Sequence, residues 1–503
     1  MRLFTCLALS SVTIALLIAG CKPTVPEDPF IARWHFAGVS KFAQLTNAPG
    51  LHAVTTTRSA AAAGDQMAKR LSETLWLVVT GQTNAPEPVV QAAAPLWREL
   101  VQAESAGTVF DTPTHLEFAF CARIPAARAD AWRAGLIQFF STAKGGDIGV
   151  FVGHTNGLLT VAFPATAMSK APSIASRLAT VPADGVLDAD LELSKWSQSP
   201  WPKALLPAPR AKVTSVATNQ IVRTTVSLKF PEALKIEMEP WQLPTFLMND
   251  LTRSLTAIRG IRPMVAKSPW FQSYEPNAVP NQFTIWMQPL TELQTYVGFP
   301  VGNSQSFMAS LTNQLGKFFT GENPAVMGML NVSTNGQGLL IDQIPIQGPP
   351  PNLSVVRTNN ISYIAGGFFP SKRTTNPVPA ALLKQLEKPD LIAYSWEITE
   401  QSIKHWLVLS QLRGIVFRRY PIPLQAPGQV WLDEVTSKLG NTATEVRLAA
   451  PNEVILTRSA PGGLAGLELV ALARWIDGPG KPIKGNPRSA LPKGVSPPPP
   501  RAN

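Results

Sequence analysis

Asp188, Asp190 and Glu192 occupy alternate positions in the run Leu187–Leu193. On a β-strand that spacing puts three carboxylates on one face and Leu187, Ala189, Leu191 and Leu193 on the other. Three acids in a row could ligate a hard cation such as calcium. A flat strand, however, holds them ~6.6–6.8 Å apart, whereas a calcium loop needs a tight turn and backbone carbonyls. Arg223 and Lys229 alternate with Val222, Val226 and Leu228 in a later run. They are expected to face the acids as cross-strand ion pairs. Only a cleft joining Asp188 and Asp190 to a histidine would turn this face into an acid–base site.

Other residues with chemistry are sparse. His35, His52, His115, His154 and His405 lie far apart, with no pair at the spacing that shares a metal. The sequence holds no CxxC, HExxH, Walker-type loop, GxSxG elbow or GxGxxG turn. His154 falls at an expected hairpin tip, as a solvated turn residue. Cys121 sits in the apolar run Phe118–Ala122 and is expected to be a buried, inert thiol. Gly462-Gly463 precede a helical stretch and could offer N–H groups to an anion, although a plain loop is the expectation. Thirteen tryptophans stand against five tyrosines. Trp34, Trp97, Trp132, Trp286 and Trp406 have apolar neighbours and are expected in cores. No catalytic residue, metal or cofactor is expected, and a non-enzymatic role follows.

The elements that carry these residues begin after residue 29. Residues 1–21 read MRLFTCLALSSVTIALLIAGC: a basic residue, an apolar run, then Ile18-Ala19-Gly20-Cys21. The apolar run has the length of a secretory signal and is short for a membrane span, which needs ~20 residues. The last four residues resemble the lipobox of bacterial envelope lipoproteins. That resemblance covers residues 1–21 only. It implies cleavage before Cys21, acylation of its thiol and a chain anchored to a membrane through lipid. Lys22 follows the cysteine, which leans towards the outer membrane. Pro23, Pro26 and Pro29 make residues 21–29 a stiff tether.

The body reads as α+β, in two related halves, 30–235 and 236–476, each a largely antiparallel sheet with helices packed on it. Sliding the sequence by 179 residues aligns Phe120 with Phe299, Leu136 with Leu315, and Phe139-Phe140 with Phe318-Phe319. The same offset matches Thr155-Asn156-Gly157 to Thr334-Asn335-Gly336, each between apolar runs, and Asn-Gly there signals a hairpin. Leu187–Leu191 resembles Leu391–Ser395, and Val213-Thr214-Ser215 recurs as Val435-Thr436-Ser437. Helices are expected over Ser59–Leu77, Trp241–Ile258 and Gly462–Trp475. Arg259-Gly260-Ile261 and Arg413-Gly414-Ile415 look like two helix exits. Residues 477–503, rich in proline and lysine, lack the apolar residues to fold.

The net charge of +11 could suggest nucleic acid. Lys481, Lys484, Arg488, Lys493 and Arg501 stand in the tail without an acid, so much of the excess belongs there. No nucleic-acid partner is expected. The sequence points to an anchored binding or structural protein with a protein, glycan or lipid partner; the alternative is a lipid-binding or chaperone-like lipoprotein.

Overall fold

The computed structural model describes residues 30–478, except 46, 111–116, 145–148, 179–183, 196–205, 219, 249, 289–293, 321–330, 335–337, 343–351, 368–377 and 417–424. Cys21, the tether and the basic tail lie outside the described residues. Among the described residues eighteen strands form one sheet, and the fold is α+β. They run β1 Phe30–Phe36, β2 Ser105–Phe110, β3 Glu117–Ala122, β4 Phe151–Thr155, β5 Leu158–Phe163, β6 Gly185–Glu192, β7 Arg210–Thr218 and β8 Ile221–Lys229. There follow β9 Ser254–Arg259, β10 Gln282–Met287, β11 Thr295–Val301, β12 Asn331–Thr334, β13 Gly338–Asp342, β14 Asn352–Thr358, β15 Ile361–Gly367, β16 Leu391–Ile398, β17 Asn441–Ala450 and β18 Glu453–Ala460. The larger helices are α1 Ala60–Thr80, α2 Glu87–Gln102, α3 Ala129–Lys144, α4 Ser304–Thr320, α5 Thr399–Val416, α6 Pro427–Thr436 and α7 Gly466–Asp477.

Every strand pairing is antiparallel. The first eight strands lie in the order β4-β5-β3-β2-β1-β6-β7-β8. The later ones repeat it as β14-β15-β11-β10-β9-β16-β17-β18, with the β12–β13 hairpin added beyond β14. β8 pairs with β18 and fuses the two sets edge to edge. One cross-strand row shows how closely they correspond. From the seam pair Val226–Leu456 it runs one way through Val213, Ala189, Trp34, Gly107, Phe120 and Val161. In the other direction it runs through Val446, Ala393, Ile258 and Phe283. Phe283 meets Phe299 at 4.7 Å between ring centroids, and Phe299 pairs with Ile364. A local two-fold through the Val226–Leu456 pair therefore exchanges β7 with β17, β6 with β16, β1 with β9, and so on outwards.

This row faces the main helices. Trp34, Phe120, Ala189 and Val213 share a core with Leu96 of α2 and Trp132, Leu136 and Phe139 of α3. The helical face of these segments repeats at three and four residues, which puts their apolar stripe on the sheet. Gly107 is small because Trp34 lies over it: a Cβ there would stand 2.3 Å from the ring. In the second set Phe299 and Ile364 pack with Phe307 of α4. A separate cluster joins the sets: Ala63 of α1 packs with Ile403, Trp431, Leu432 and Leu469 of α5, α6 and α7.

Several expectations need correction. Trp241–Ile258 is not a helix. Pro244 interrupts it, and its end is β9, where Leu255, Ala257 and Arg259 alternate as buried residues. Gly260 therefore closes a strand, and Arg413 with Gly414 lies inside α5. Val435-Thr436-Ser437 ends α6; the position matching Val213 is Val446. Asn156-Gly157 does make the β4–β5 turn, both with positive φ. Asn335-Gly336 lies outside the described residues, between β12 and β13, and the turn that corresponds to Asn156-Gly157 is Asn359-Asn360, also with positive φ.

Candidate functional site

The opposite face of the sheet is packed at both flanks and open in the middle. On one flank Ala106, Ala119, Cys121 and Ala162 pack against the segment Ala165–Arg177, with Ile174 at its centre. On the other, Leu255, Ala257, Trp286, Tyr296 and Tyr394 pack against Leu382 and Leu386. Between them β7, β8, β18 and β17 form a floor about 15–20 Å wide at ~4.8 Å per strand. Its side chains include Lys212, Thr214, Arg223, Thr225, Ser227, Lys229, Ser459, Thr457, Glu445 and Arg447, with Val216, Ala443 and Ile455 among them. Each of them is partly or fully exposed. Thr214, Thr225 and Thr457 stand side by side in register. Lys229 faces Glu453 across the seam, and Glu445 accepts from Lys388 and Arg447.

The first-set flank of this floor ends in a nearly buried ionic cluster. Asp188, Asp190 and Glu192 do share a face of β6. The cations of Asp190, however, are Arg33 and Arg210, not Arg223 and Lys229, which lie two strands away on β8. Arg33 Nη2 donates to Asp190 Oδ2 at 2.9 Å, with the two side chains 7% and 5% exposed. Arg210 Nε donates to Asp190 Oδ1 at 2.8 Å, and its Nη2 to Oδ2. Both guanidiniums also lie over the Phe30 ring. Glu192 stands opposite Arg210 at the strand end.

His35 is directly opposite Asp188 on the neighbouring strand and is 2% exposed. Its Nε2 lies 3.0 Å from Glu104 Oε1, and Arg123 donates to the other oxygen of Glu104. The His35 hydrogen bond, followed by Arg123, holds the Glu104 carboxyl below its ordinary range against the opposing effect of burial. Asp188 goes the other way: burial pushes its carboxyl up, and Lys212 only partly offsets this. Among the described residues His35 Nδ1 and Asp188 Oδ1 are buried without a hydrogen-bond partner.

So the histidine and the acids meet, but as a packed cluster. A pocket nearby, about 430 Å³, is lined by Ser40, Arg98, Glu99, Gln102, Glu104 and Arg123 together with the apolar Ala37, Ala103, Ile124 and Pro125. Glu104 belongs to both places, while His35, Asp188 and Asp190 do not line it. Its charged groups are engaged: Arg98 with Asp65, Arg123 with Glu104, and Glu99 with Arg128 and Trp132. Among the described residues no group of three His, Cys, Asp or Glu side chains could hold a metal ion.

Other single candidates fall into structural places. Burial pushes the Cys121 thiol up, so it resists forming a thiolate. His154 Nε2 lies 3.2 Å from the Ile124 carbonyl oxygen. Trp34, Trp132 and Trp286 are buried, whereas Trp270 is exposed. The glycines Gly462 and Gly463 precede a helix end already filled by the chain's own acids. Glu468 accepts from Ala465 N–H at 3.0 Å, and Glu397 from Gly466 N–H at 2.7 Å. Similar carboxylate caps tie the helices together: Glu434 accepts from Arg58 and Ser59 N–H before α1, and Asp477 from Gly428 and Gln429 N–H in α6.

Arg33, His35 and Glu104 were not legible as site residues. Arg33 and Asp190 are 157 positions apart, and nothing local marks their meeting. Comparison with known protein families, characterised proteins and solved structures finds no match to this chain.

Proposed function

We propose that the chain is a non-enzymatic lipoprotein of the bacterial envelope, tethered through acylated Cys21, whose open sheet floor binds a protein partner. The observation that carries this reading is the floor itself. Four adjacent central strands turn hydroxyl and charged side chains to solvent while the sheet's outer parts on the same face are covered by packed segments. A face needed only for packing would be apolar. The cores are filled with aromatic and aliphatic side chains, which disfavours carriage of acyl chains inside them. The floor lacks the aromatic side chains on which sugars stack, which favours protein over glycan. No helix among the described residues is long and apolar enough to cross a membrane, so on this reading attachment falls to the lipid at Cys21, with the outer membrane as the favoured site.

Two measurements test the proposal. Cys21→Ser should move the chain from the membrane fraction to the soluble one; retention in the membrane refutes the anchor. Cross-linked envelopes should yield a defined partner with the parent chain and lose it with Arg223→Glu/Lys229→Glu. Both residues are exposed, so the fold should survive the change. A partner held equally well by the double variant refutes the floor as its binding face.

A further inference from the structure

The local two-fold also relates the two outer parts of the sheet. β4 of the first set and β14 of the second hold the same place. Each forms a two-residue hairpin with the next strand, through Asn156-Gly157 and Asn359-Asn360. β14 then receives a further antiparallel strand, β13, with Leu339 opposite Leu353. Among the described residues β4 pairs with β5 alone. The first set therefore ends in a bare edge where the second carries an added hairpin.

The turn fixes which backbone groups of β4 face outwards. A two-residue turn makes Thr155 and Leu158 a hydrogen-bonded pair, and bonded pairs alternate with unbonded ones along the ladder. Phe151, Gly153 and Thr155 therefore bond to β5, whereas Val152 and His154 turn their N–H and C=O groups away from it. Such a row is a template for another strand. The side chains of β4 do little to prevent pairing: Phe151, Val152 and Thr155 favour strands, and the run holds no lysine, glutamate or proline. One group intervenes from outside the sheet. Arg133 of α3 donates from Nη2 to the Val152 carbonyl oxygen at 2.8 Å, and from Nη1 to Asp130 Oδ1 at 3.1 Å. At the offset that aligns Leu136 with Leu315, the residue matching Arg133 is Thr312. Its hydroxyl donates to the Met308 carbonyl oxygen of its own helix at 2.8 Å. The arginine stands where the edge is bare and is replaced where a strand has been added.

We infer that Arg133 guards the β4 edge against pairing with a second copy of the chain. It occupies the Val152 carbonyl oxygen and holds a charged, half-exposed group where an incoming strand would lie. A second copy is the occupant because every molecule presents the same edge, and two identical edges pair antiparallel about a two-fold axis. β13 on β14 shows that this part of the sheet accepts an antiparallel neighbour. The inference is independent of the floor, which lies at the other side of the first strand set.

Sedimentation velocity of the full Cys21→Ser chain across a concentration series tests the guard. Arg133→Thr, which installs the residue of the second set, should dimerise at about tenfold lower concentration than the parent, as loss of one charge-assisted hydrogen bond implies. Arg133 is half exposed, so the variant should keep the parent's melting temperature. Adding His154→Pro should abolish the gain. The His154 N–H does not bond to β5, so a proline is tolerated on this edge strand while it blocks a new neighbour. Association of unfolded chains would not be reversed by that proline. Hydrogen exchange should place the protection gained by the dimer on the Val152 and His154 amides. An Arg133→Thr chain that associates no more readily than the parent, association that survives His154→Pro, or protection gained only elsewhere would each overturn the inference.

Discussion

Asp190→Ala tests whether the ionic cluster serves the fold or a function. In the parent chain Asp190 takes one guanidinium bond from Arg33 and two from Arg210, and the Arg33 side chain is 7% exposed. Removing the carboxylate takes one ion-pair partner from a buried cation, a change that costs up to about 3–5 kcal/mol. Arg210 is 46% exposed and can turn to water, so it adds little. At roughly 2–4 °C per kcal/mol for a unit of this size, the first strand set should melt on the order of 10 °C lower. The informative variant is Arg33→Ala/Asp190→Tyr, which installs the residues of the matching pair, Ala257–Tyr394, in the same register. Replacing a buried ion pair by packed apolar groups is often neutral or stabilising. The double variant should therefore recover most of the loss. Differential scanning calorimetry of the soluble Cys21→Ser chain measures all three proteins. A double variant as unstable as Asp190→Ala would refute the reasoning, because the charges would then be required by the fold. A single variant within ~1 kcal/mol of the parent would refute the buried-pair premise.

Four further outcomes are expected. Gly107→Ala should destabilise by about 1–3 kcal/mol, since its Cβ would overlap the Trp34 ring; equilibrium denaturation followed by tryptophan fluorescence reads the change. Glu104 has its carboxyl held low, so its contribution is complete above the ordinary value of 4.5 and is lost as pH falls through the lowered folded value; Glu104→Gln should flatten the acid limb of the melting-temperature profile. Glu397 is pushed up, chiefly by burial, so its proton-linked contribution is complete below 4.5 and is lost as pH rises through the raised folded value. Glu397→Gln should abolish that slope while keeping the bonds to Gly466 N–H and Ser402, and Glu397→Ala should cost about 1–2 kcal/mol as a lost helix cap. Cys121 should react with a thiol reagent only in denaturant; labelling of the native chain at the rate of a free thiol would contradict its burial.

What the sequence disclosed followed the range of the interaction. The match Phe120–Phe299 falls on equivalent register positions, because the strands on which they lie pack against equivalent neighbours, whereas a bulge at Ile392 shifts Leu391 out of register with Leu187 and onto the opposite face. Thr-Asn-Gly at 334–336 misled, since any hairpin can use that turn and β12–β13 is an added one. The helix expected over Trp241–Ile258 failed for a related reason. Leu255, Ala257 and Arg259 suit a strand as well as a helix, and only pairing with β10 and β16 decides. The carboxylate face of β6 was legible from spacing alone. Its partners were not: Arg33, His35 and Arg210 reach it through strand order, which no local pattern encodes.

The two strand sets agree most closely where they only need to pack and differ where they meet the floor. Along the helix-facing row the changes conserve apolar character: Val213 to Val446, Trp34 to Ile258, Val161 to Ile364. On the other face Arg33 becomes Ala257, Asp190 becomes Tyr394 and Lys212 becomes Glu445. A symmetric sheet that needed both floors equally would hold the same residues on both sides of the seam. Instead, the first set carries Arg33 and Asp190 where the second carries Ala257 and Tyr394, and it places a cation where the second places an acid. Buried charges that folding does not require are kept for recognition or switching more readily than for stability. On the proposed reading, the asymmetry makes the first-set side of the floor, around Lys212 and Thr214, the side whose variants should separate binding from stability.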